Sequence, residues 1–180
     1  MNNKFCQTRT RLESRGIKHY IKLMKKIILT IFSCLFICTN LYALPKCPGE
    51  KRDLSTWKNC NGSYTAMDGH SYSGDFDSNG QYSGYGKLKN NQSIYEGEFL
   101  KDKYHGKGTQ TLLNESGGVK GTYVGEFFMG SWNGKGVLKS SDGSFIYDGE
   151  FQNYEMTGYG TLTINGQSKT GNFKNGNLID

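Results

Sequence analysis

Tyr-Glu-Gly-Glu-Phe at 95–99 is one of four close copies of a single pentapeptide, and this recurrence restricts the fold more than any other feature of the chain. Tyr-Ser-Gly-Asp-Phe starts at Tyr72, Tyr-Val-Gly-Glu-Phe at Tyr123 and Tyr-Asp-Gly-Glu-Phe at Tyr147, with a degenerate Lys-Thr-Gly-Asn-Phe from Lys169. The starts are separated by 23, 28, 24 and 22 residues. A few polar residues after each Phe comes a second signature: YSGYGKL from Tyr82, YHGKGTQ from Tyr104, WNGKGVL from Trp132 and MTGYGTL from Met156. CNGSYT at 60–65 reads as a leading half-copy. A fixed period of this length marks a stack of small units, none of which can bury its own apolar face alone.

Each unit carries a period of two. Tyr95, Gly97 and Phe99 share one face of a strand, and Glu96 and Glu98 share the other. Read the same way, Gly134, Gly136 and Leu138 share a face, as do Gly158, Gly160 and Leu162. Glycine inside a strand usually marks close approach by something bulky. The rings Tyr72, Phe76, Tyr95, Phe99, Tyr123, Phe127, Tyr147 and Phe151 are placed to lie over the bare positions of neighbouring strands, Gly106 and Gly108 among them, and so to form a seam between hairpins. The polar links, such as 77–81 and 100–103, carry turn chemistry. The expected fold is all-β, an elongated single-layer antiparallel meander of repeated β-hairpins over 63–180. Residues 44–62 are expected to cap its first edge. The extra residues around 114–121 are expected to form a longer exposed hairpin loop, and the last copy lacks a second Gly-x-Gly strand.

This pattern resembles the MORN repeat, and the resemblance covers about residues 60–180. It implies an elongated, twisted single-layer sheet and a role in protein contacts, dimerisation or membrane attachment. His105 is matched by Ser83, Asn133 and Thr157 in the other copies, so the fold does not require it.

The leader has its own logic. Lys25-Lys26 precede twelve apolar residues at 27–38, short for a membrane span and suited to a signal-peptide core. Leu41 and Ala43 suit positions −3 and −1, so 24–43 is read as a signal peptide cleaved after Ala43. Residues 1–23 are read as an extension upstream of an alternative start at Met24. An uncleaved anchor and a lipoprotein site at Cys34 are the competing readings. Eight of the 22 basic residues and one of the 16 acidic ones lie in 1–43, so residues 44–180 carry 14 and 15, a net charge of −1. The basic isoelectric point belongs to the leader, and nucleic acid is not an expected partner. Past the leader only Cys47 and Cys60 remain, an even pair that reads as a disulfide in an exported protein. The alternative, half of a metal site, has only His70 and His105 to draw on.

No catalytic set is expected. Glu98 recurs as Asp75, Glu126 and Glu150, which makes it a repeat position that supports a turn or accepts backbone N–H bonds. The Gly-Lys-Gly runs at 106–108 and 134–136 lack phosphate-loop spacing and introduce no helix. There is no Gly-x-Ser-x-Gly elbow. Metal and cofactor are both expected to be absent. The candidate contact residues are Trp132 first, with Phe128, Tyr104 and Tyr82, as exposed aromatics. The expected role is that of an exported, bacterial, non-catalytic scaffold that binds a protein at the periplasm, the outer envelope or outside the cell. The alternative is an envelope lipid- or glycan-binding protein. Open sheet ends leave room for a homodimer.

Overall fold

The chain divides into two compact units, Met1–Ala43 and Leu44–Asp180. The computed structural model describes residues 43–48 and 54–179. The readings made on the leader and its cleavage lie outside the described residues.

Eleven strands form one sheet in simple chain order, every neighbouring pair antiparallel. They are β1 (Cys60–Thr65), β2 (Ser71–Phe76), β3 (Tyr82–Lys89), β4 (Ser93–Leu100), β5 (Lys103–Leu113), β6 (Val119–Phe128), β7 (Ser131–Ser140), β8 (Phe145–Gln152), β9 (Glu155–Ile164), β10 (Gln167–Lys174) and β11 (Asn177–Leu178). The described residues contain no α-helix, and so none long and apolar enough to cross a membrane. The even strands β2, β4, β6 and β8 carry the Tyr-x-Gly-Glu-Phe copies. The odd strands β3, β5, β7 and β9 carry the Gly-x-Gly copies. The inserted residues form the turn 114–118, and the rest of the segment lengthens β6 itself.

One face of the sheet holds the core. Tyr72, Tyr95, Tyr123 and Tyr147 are at most 1% exposed, and Phe76, Phe99, Phe127, Phe151 and Phe173 are buried beside them. A single-layer sheet hides these rings by packing them on one another. Tyr95 meets its own Phe99 edge-on at 5.1 Å and the next repeat's Phe127 at 4.9 Å. Tyr123 meets Phe127 at 5.2 Å and Phe151 at 5.0 Å, and Tyr147 reaches Phe173 at 4.9 Å. Each Tyr therefore joins two successive repeats, in the edge-to-face geometry that the ring quadrupole favours.

At the first edge, Cys47 and Cys60 are joined by a disulfide. Cys47 N donates to Asn61 O at 2.9 Å and Asn61 N donates to Pro45 O at 2.8 Å, so residues 45–47 run along the open side of β1. Trp57 packs edge-on against Phe76 at 5.2 Å and donates its indole N–H to Pro48 O at 3.0 Å. This covers backbone groups that an exposed edge strand would offer to another chain.

Candidate functional site

The two glycines of each Gly-x-Gly do different work, which corrects the strict alternation expected from the sequence. Gly97 pairs with Gly108, but Glu98 pairs with His105, so the ladder shifts register and Gly106-Lys107 bulge out of it. The same shift separates Gly149/Glu150 from their partners on β9, and another falls between Gly125 and Phe127. The second glycine lies under a ring: a Cβ on Gly108 would meet the Tyr95 ring at 2.6 Å. The first does not. Gly106, Gly134 and Gly158 have φ of 54°, 101° and 57°, and each lies against the carboxylate of Glu98, Glu126 or Glu150. Left-handed backbone favours glycine, and a bulge lets the strand place it there.

The repeated carboxylates are thereby accounted for. Lys107 N donates to Glu98 Oε1 at 3.0 Å and Lys135 N donates to Glu126 Oε2 at 3.1 Å. Glu98 braces the bulge whose backbone would otherwise lose an acceptor. Its opposite number His105 has no hydrogen-bond partner at Nδ1. Among the described residues no group of three or more His, Cys, Asp or Glu side chains is placed to hold a metal.

Trp132, expected as the leading exposed contact, is 7% exposed and belongs to the core. Its ring stacks on Tyr123 at 4.5 Å, and its Nε1 donates to Gln110 Oε1 at 2.8 Å. Gln110 Nε2 in turn donates to Ser93 Oγ at 3.2 Å. Tyr82 and Tyr104 hold the same place in their repeats, each stacked at 3.8 Å on Tyr72 or Tyr95 and half-buried. The reason is geometric: the residue opposite each motif Phe points to the ring face and covers the neighbouring Tyr. Trp fills this place as Tyr does, with a larger surface and an N–H that needs a buried acceptor.

Phe128 is where the sequence expectation and the geometry coincide, at 57% exposure. It follows Phe127 in the strand and so points to the opposite, outward face. Alternation puts Leu100, Lys103 and His105 on that face too, on β4 and β5. His105 lies against Phe128, ring centroids 5.6 Å apart. Leu100 and Met129 are 42% and 47% exposed at the hairpin tips, while the residue across His105 from Phe128 is Glu98. Sequence reasoning missed Leu100, Met129 and the outward tyrosines Tyr85 and Tyr159, which are the variable residues inside or just after an invariant frame. The signal available was the outlier at a repeat position: Asp77, Leu100, Phe128, Gln152 and Lys174 all follow the motif Phe.

Burial raises the hydroxyl pKa of Tyr72, Tyr82 and Tyr95, and pushes that of Tyr123 up to about 12. An unfolded tyrosine ionises near pH 10. The folded chain thus holds these protons where the unfolded chain has lost them. The stability they contribute is fully present below about pH 10 and is lost as pH rises toward the folded values. Alkaline unfolding followed by circular dichroism should therefore begin above about pH 10, coincident with the part of the tyrosinate absorbance that comes from the buried rings, the exposed Tyr85, Tyr154 and Tyr159 ionising independently of it. Ionisation of all the tyrosines in one step well before unfolding would contradict the buried seam.

Comparison with curated proteins returns no match for this chain. A family model described as the MORN repeat matches residues 72–91, 95–113, 123–145 and 147–168, segments that each begin with a seam Tyr. The hairpins, the ring seam and these matches coincide: the chain carries MORN repeats in four successive segments.

Proposed function

We propose that this chain is a non-catalytic binding or scaffolding element, exported to the cell envelope, whose partner is a protein. MORN repeats suggest a repeat protein that binds membranes or proteins. The observation that carries the protein-binding reading is the division of labour between the two faces. The ring face is closed on itself, and the repeated glutamates at 98 and 126 are engaged by backbone N–H groups. The outward face keeps Phe128, Met129 and Leu100 exposed at the hairpin tips, where they are open to a partner. Export is supported by the leader and by the disulfide between Cys47 and Cys60.

The test is affinity capture of partners by the tagged chain from envelope fractions, followed by reconstitution with the purified partner. A stoichiometric complex of two purified proteins is the expected result. Failure to reconstitute any complex, or substrate turnover abolished by one substitution, would overturn the reading. A second reading, binding of lipid or glycan, is favoured by the exposed rings of Tyr85 and Tyr159 on the outward face. Sedimentation with vesicles and with envelope polysaccharide separates it from the first.

A further inference from the structure

We propose that the Cys47–Cys60 disulfide is a redox latch on the first edge of the sheet. Oxidised, it holds residues 45–47 over β1; reduced, it frees β1 to pair with β1 of a second copy of this chain. This goes beyond the partner-binding reading above and does not depend on it.

The backbone groups at stake follow from the pairing of β1. Ala66 N donates to His70 O, and Gly62 and Tyr64 share the parity of Ala66, so their N–H and C=O groups face β2. Asn61, Ser63 and Thr65 face the open side. Of these three, Asn61 is covered, by Pro45 O and Cys47 N. Ser63 and Thr65 have no backbone partner on that side among the described residues.

The strap is held by little besides the disulfide. Pro45, Lys46 and Pro48 are exposed, and Leu44 is half-buried. Beyond its bonds to Asn61, the strap accepts one hydrogen bond, from the Trp57 indole to Pro48 O. Exchanging such bonds with water is nearly balanced, and the entropy of ordering the chain opposes the strap. The disulfide reduces that entropy by closing the loop between Cys47 and Cys60. Trp57 stays when the strap leaves, because it packs on Phe76 and is close in sequence to Cys60. The rings from Tyr72 to Phe173 pack on one another, so the sheet outlasts the latch.

A second copy fits the edge so exposed. β1 is Cys-Asn-Gly-Ser-Tyr-Thr, without a charge or a proline, whereas β2 to β10 each carry at least one charged residue. Charges and prolines are what edge strands use to refuse pairing, and here the strap stands in for them. Antiparallel pairing about a two-fold axis at Ser63 sets Ser63 against its own counterpart and Asn61 against the second copy's Thr65. All three residues then present N–H and C=O to the facing strand, for about six hydrogen bonds. The Asn, Ser and Thr side chains that meet across the axis are uncharged, so no like charges oppose the pairing.

The opening step is thiol–disulfide exchange with a dithiol reductant. Cys60 is 1% exposed and Cys47 is half-buried, so the attacking thiolate reaches Cys47 Sγ. The S–S bond breaks, Cys60 leaves as thiolate and takes a proton, and a mixed disulfide forms on Cys47. The reductant's second thiol then displaces Cys47, which takes a proton in turn. The reductant is oxidised to its disulfide, and both cysteines are reduced to thiols.

The experiment uses the full chain, carrying Cys6→Ser, Cys34→Ser and Cys38→Ser in every sample, with dithiothreitol as the dithiol. In dilute chain, reduction should speed amide hydrogen exchange at Cys47 and Asn61 by about tenfold or more, with circular dichroism unchanged. As concentration rises, sedimentation equilibrium should show the reduced chain and the Cys47→Ser chain doubling in mass, and the oxidised chain not. Exchange at Ser63 and Thr65 should slow in the dimer. Ser63→Pro removes an N–H that faces the open side, a place where an edge strand tolerates proline. Ser63→Lys sets two ammonium groups against each other at the axis. Each should weaken association of the reduced chain by at least about tenfold, and Ser63→Lys decides if Ser63→Pro does not fold.

Reduction that leaves Cys47 and Asn61 protected overturns the proposal. So does reduction that unfolds the sheet, which would make the disulfide a brace of the whole fold. Association that survives the Ser63 substitutions lies on another surface, the leader included, and overturns it as well. A reduced chain that stays monomeric at every concentration overturns it too, whatever other strand the edge accepts. Failure here leaves the partner-binding reading untouched, and loss of that reading leaves the latch.

Discussion

Tyr123→Ala is expected to lower the free energy of unfolding by about 4 kcal/mol, the upper range for deleting a buried aromatic side chain. Tyr123 is fully buried, stacks on Trp132, and meets Phe127 and Phe151 edge-on. Its hydroxyl donates to Glu126 O at 3.0 Å. The ring also covers Gly125 and Gly136, so removing it opens a void over a strip of bare backbone. No neighbour can close that void, because the nearby rings are each held by a repeat of their own. Urea unfolding monitored by circular dichroism measures the loss. Val124→Ala, one residue away on the exposed outward face, should cost less than about 0.5 kcal/mol. Equal losses at the two positions would contradict a core confined to one face.

Gly125→Ala is expected to cost about 3 kcal/mol although it adds only one methyl group. A Cβ there would stand 2.6 Å from the Cα of Gly136, 2.6 Å from the carbonyl oxygen of Lys135 and 2.6 Å from the Tyr123 hydroxyl. Two of these three neighbours are backbone of the adjacent strand, which cannot swing aside as a side chain would. Relief requires β6 and β7 to part, which breaks ladder hydrogen bonds and lifts the ring that bridges the repeats. Gly117→Ala is the comparison: φ there is +81° but nothing lies within 4 Å, so only the backbone term of about 1 kcal/mol remains. A Gly125→Ala chain as stable as Gly117→Ala would mean that the strands are not in the observed register.

Both effects could be foreseen in outline, because the repeat reports on itself. Tyr, Gly and Phe recur together wherever a ring must lie on bare backbone, and four copies make the rule visible without a partner sequence. The disulfide followed in the same way from an even cysteine count. The functions of Gly106, Gly134 and Gly158 did not follow, since period-two counting assumes an unbroken ladder and the bulge breaks it. Trp132 was misplaced for a related reason: a residue that differs from its repeat counterparts was taken as free to make contacts. It is instead a larger ring in the same buried place, paired with Gln110 where the other copies have Leu88, Leu138 and Leu162. The tips were also hard to read. Lys101-Asp102 and Asn153-Tyr154 adopt left-handed backbone at both positions, with φ of 50° and 64° and of 49° and 71°. A tight primed hairpin turn demands that conformation, but Lys and Tyr do not announce it. The surroundings of Phe128 were half visible, because Phe128 stood out in the sequence while His105 and Glu98 become its neighbours only through pairing.

Those two-residue tips also differ in freedom from the connections on the opposite rim. On one rim the first turn, 77–81, has five residues, and the four that follow, at 101–102, 129–130, 153–154 and 175–176, have two each. Each is tied to the repeat before it: Asp102 N to Tyr82 O, Gly130 N to Tyr104 O, Tyr154 N to Trp132 O and Gly176 N to Met156 O, at 2.9–3.2 Å. On the other rim the connections at 66–70, 90–92, 114–118, 141–144 and 165–166 differ in length. A residue added to the first rim would break a bond to its neighbour and propagate along the stack. One added to the second enlarges a single loop. Change in this chain therefore has two separate channels: residue substitution at the two-residue tips, beside which Leu100, Phe128 and Met129 stand, and growth or loss of loops on the opposite rim.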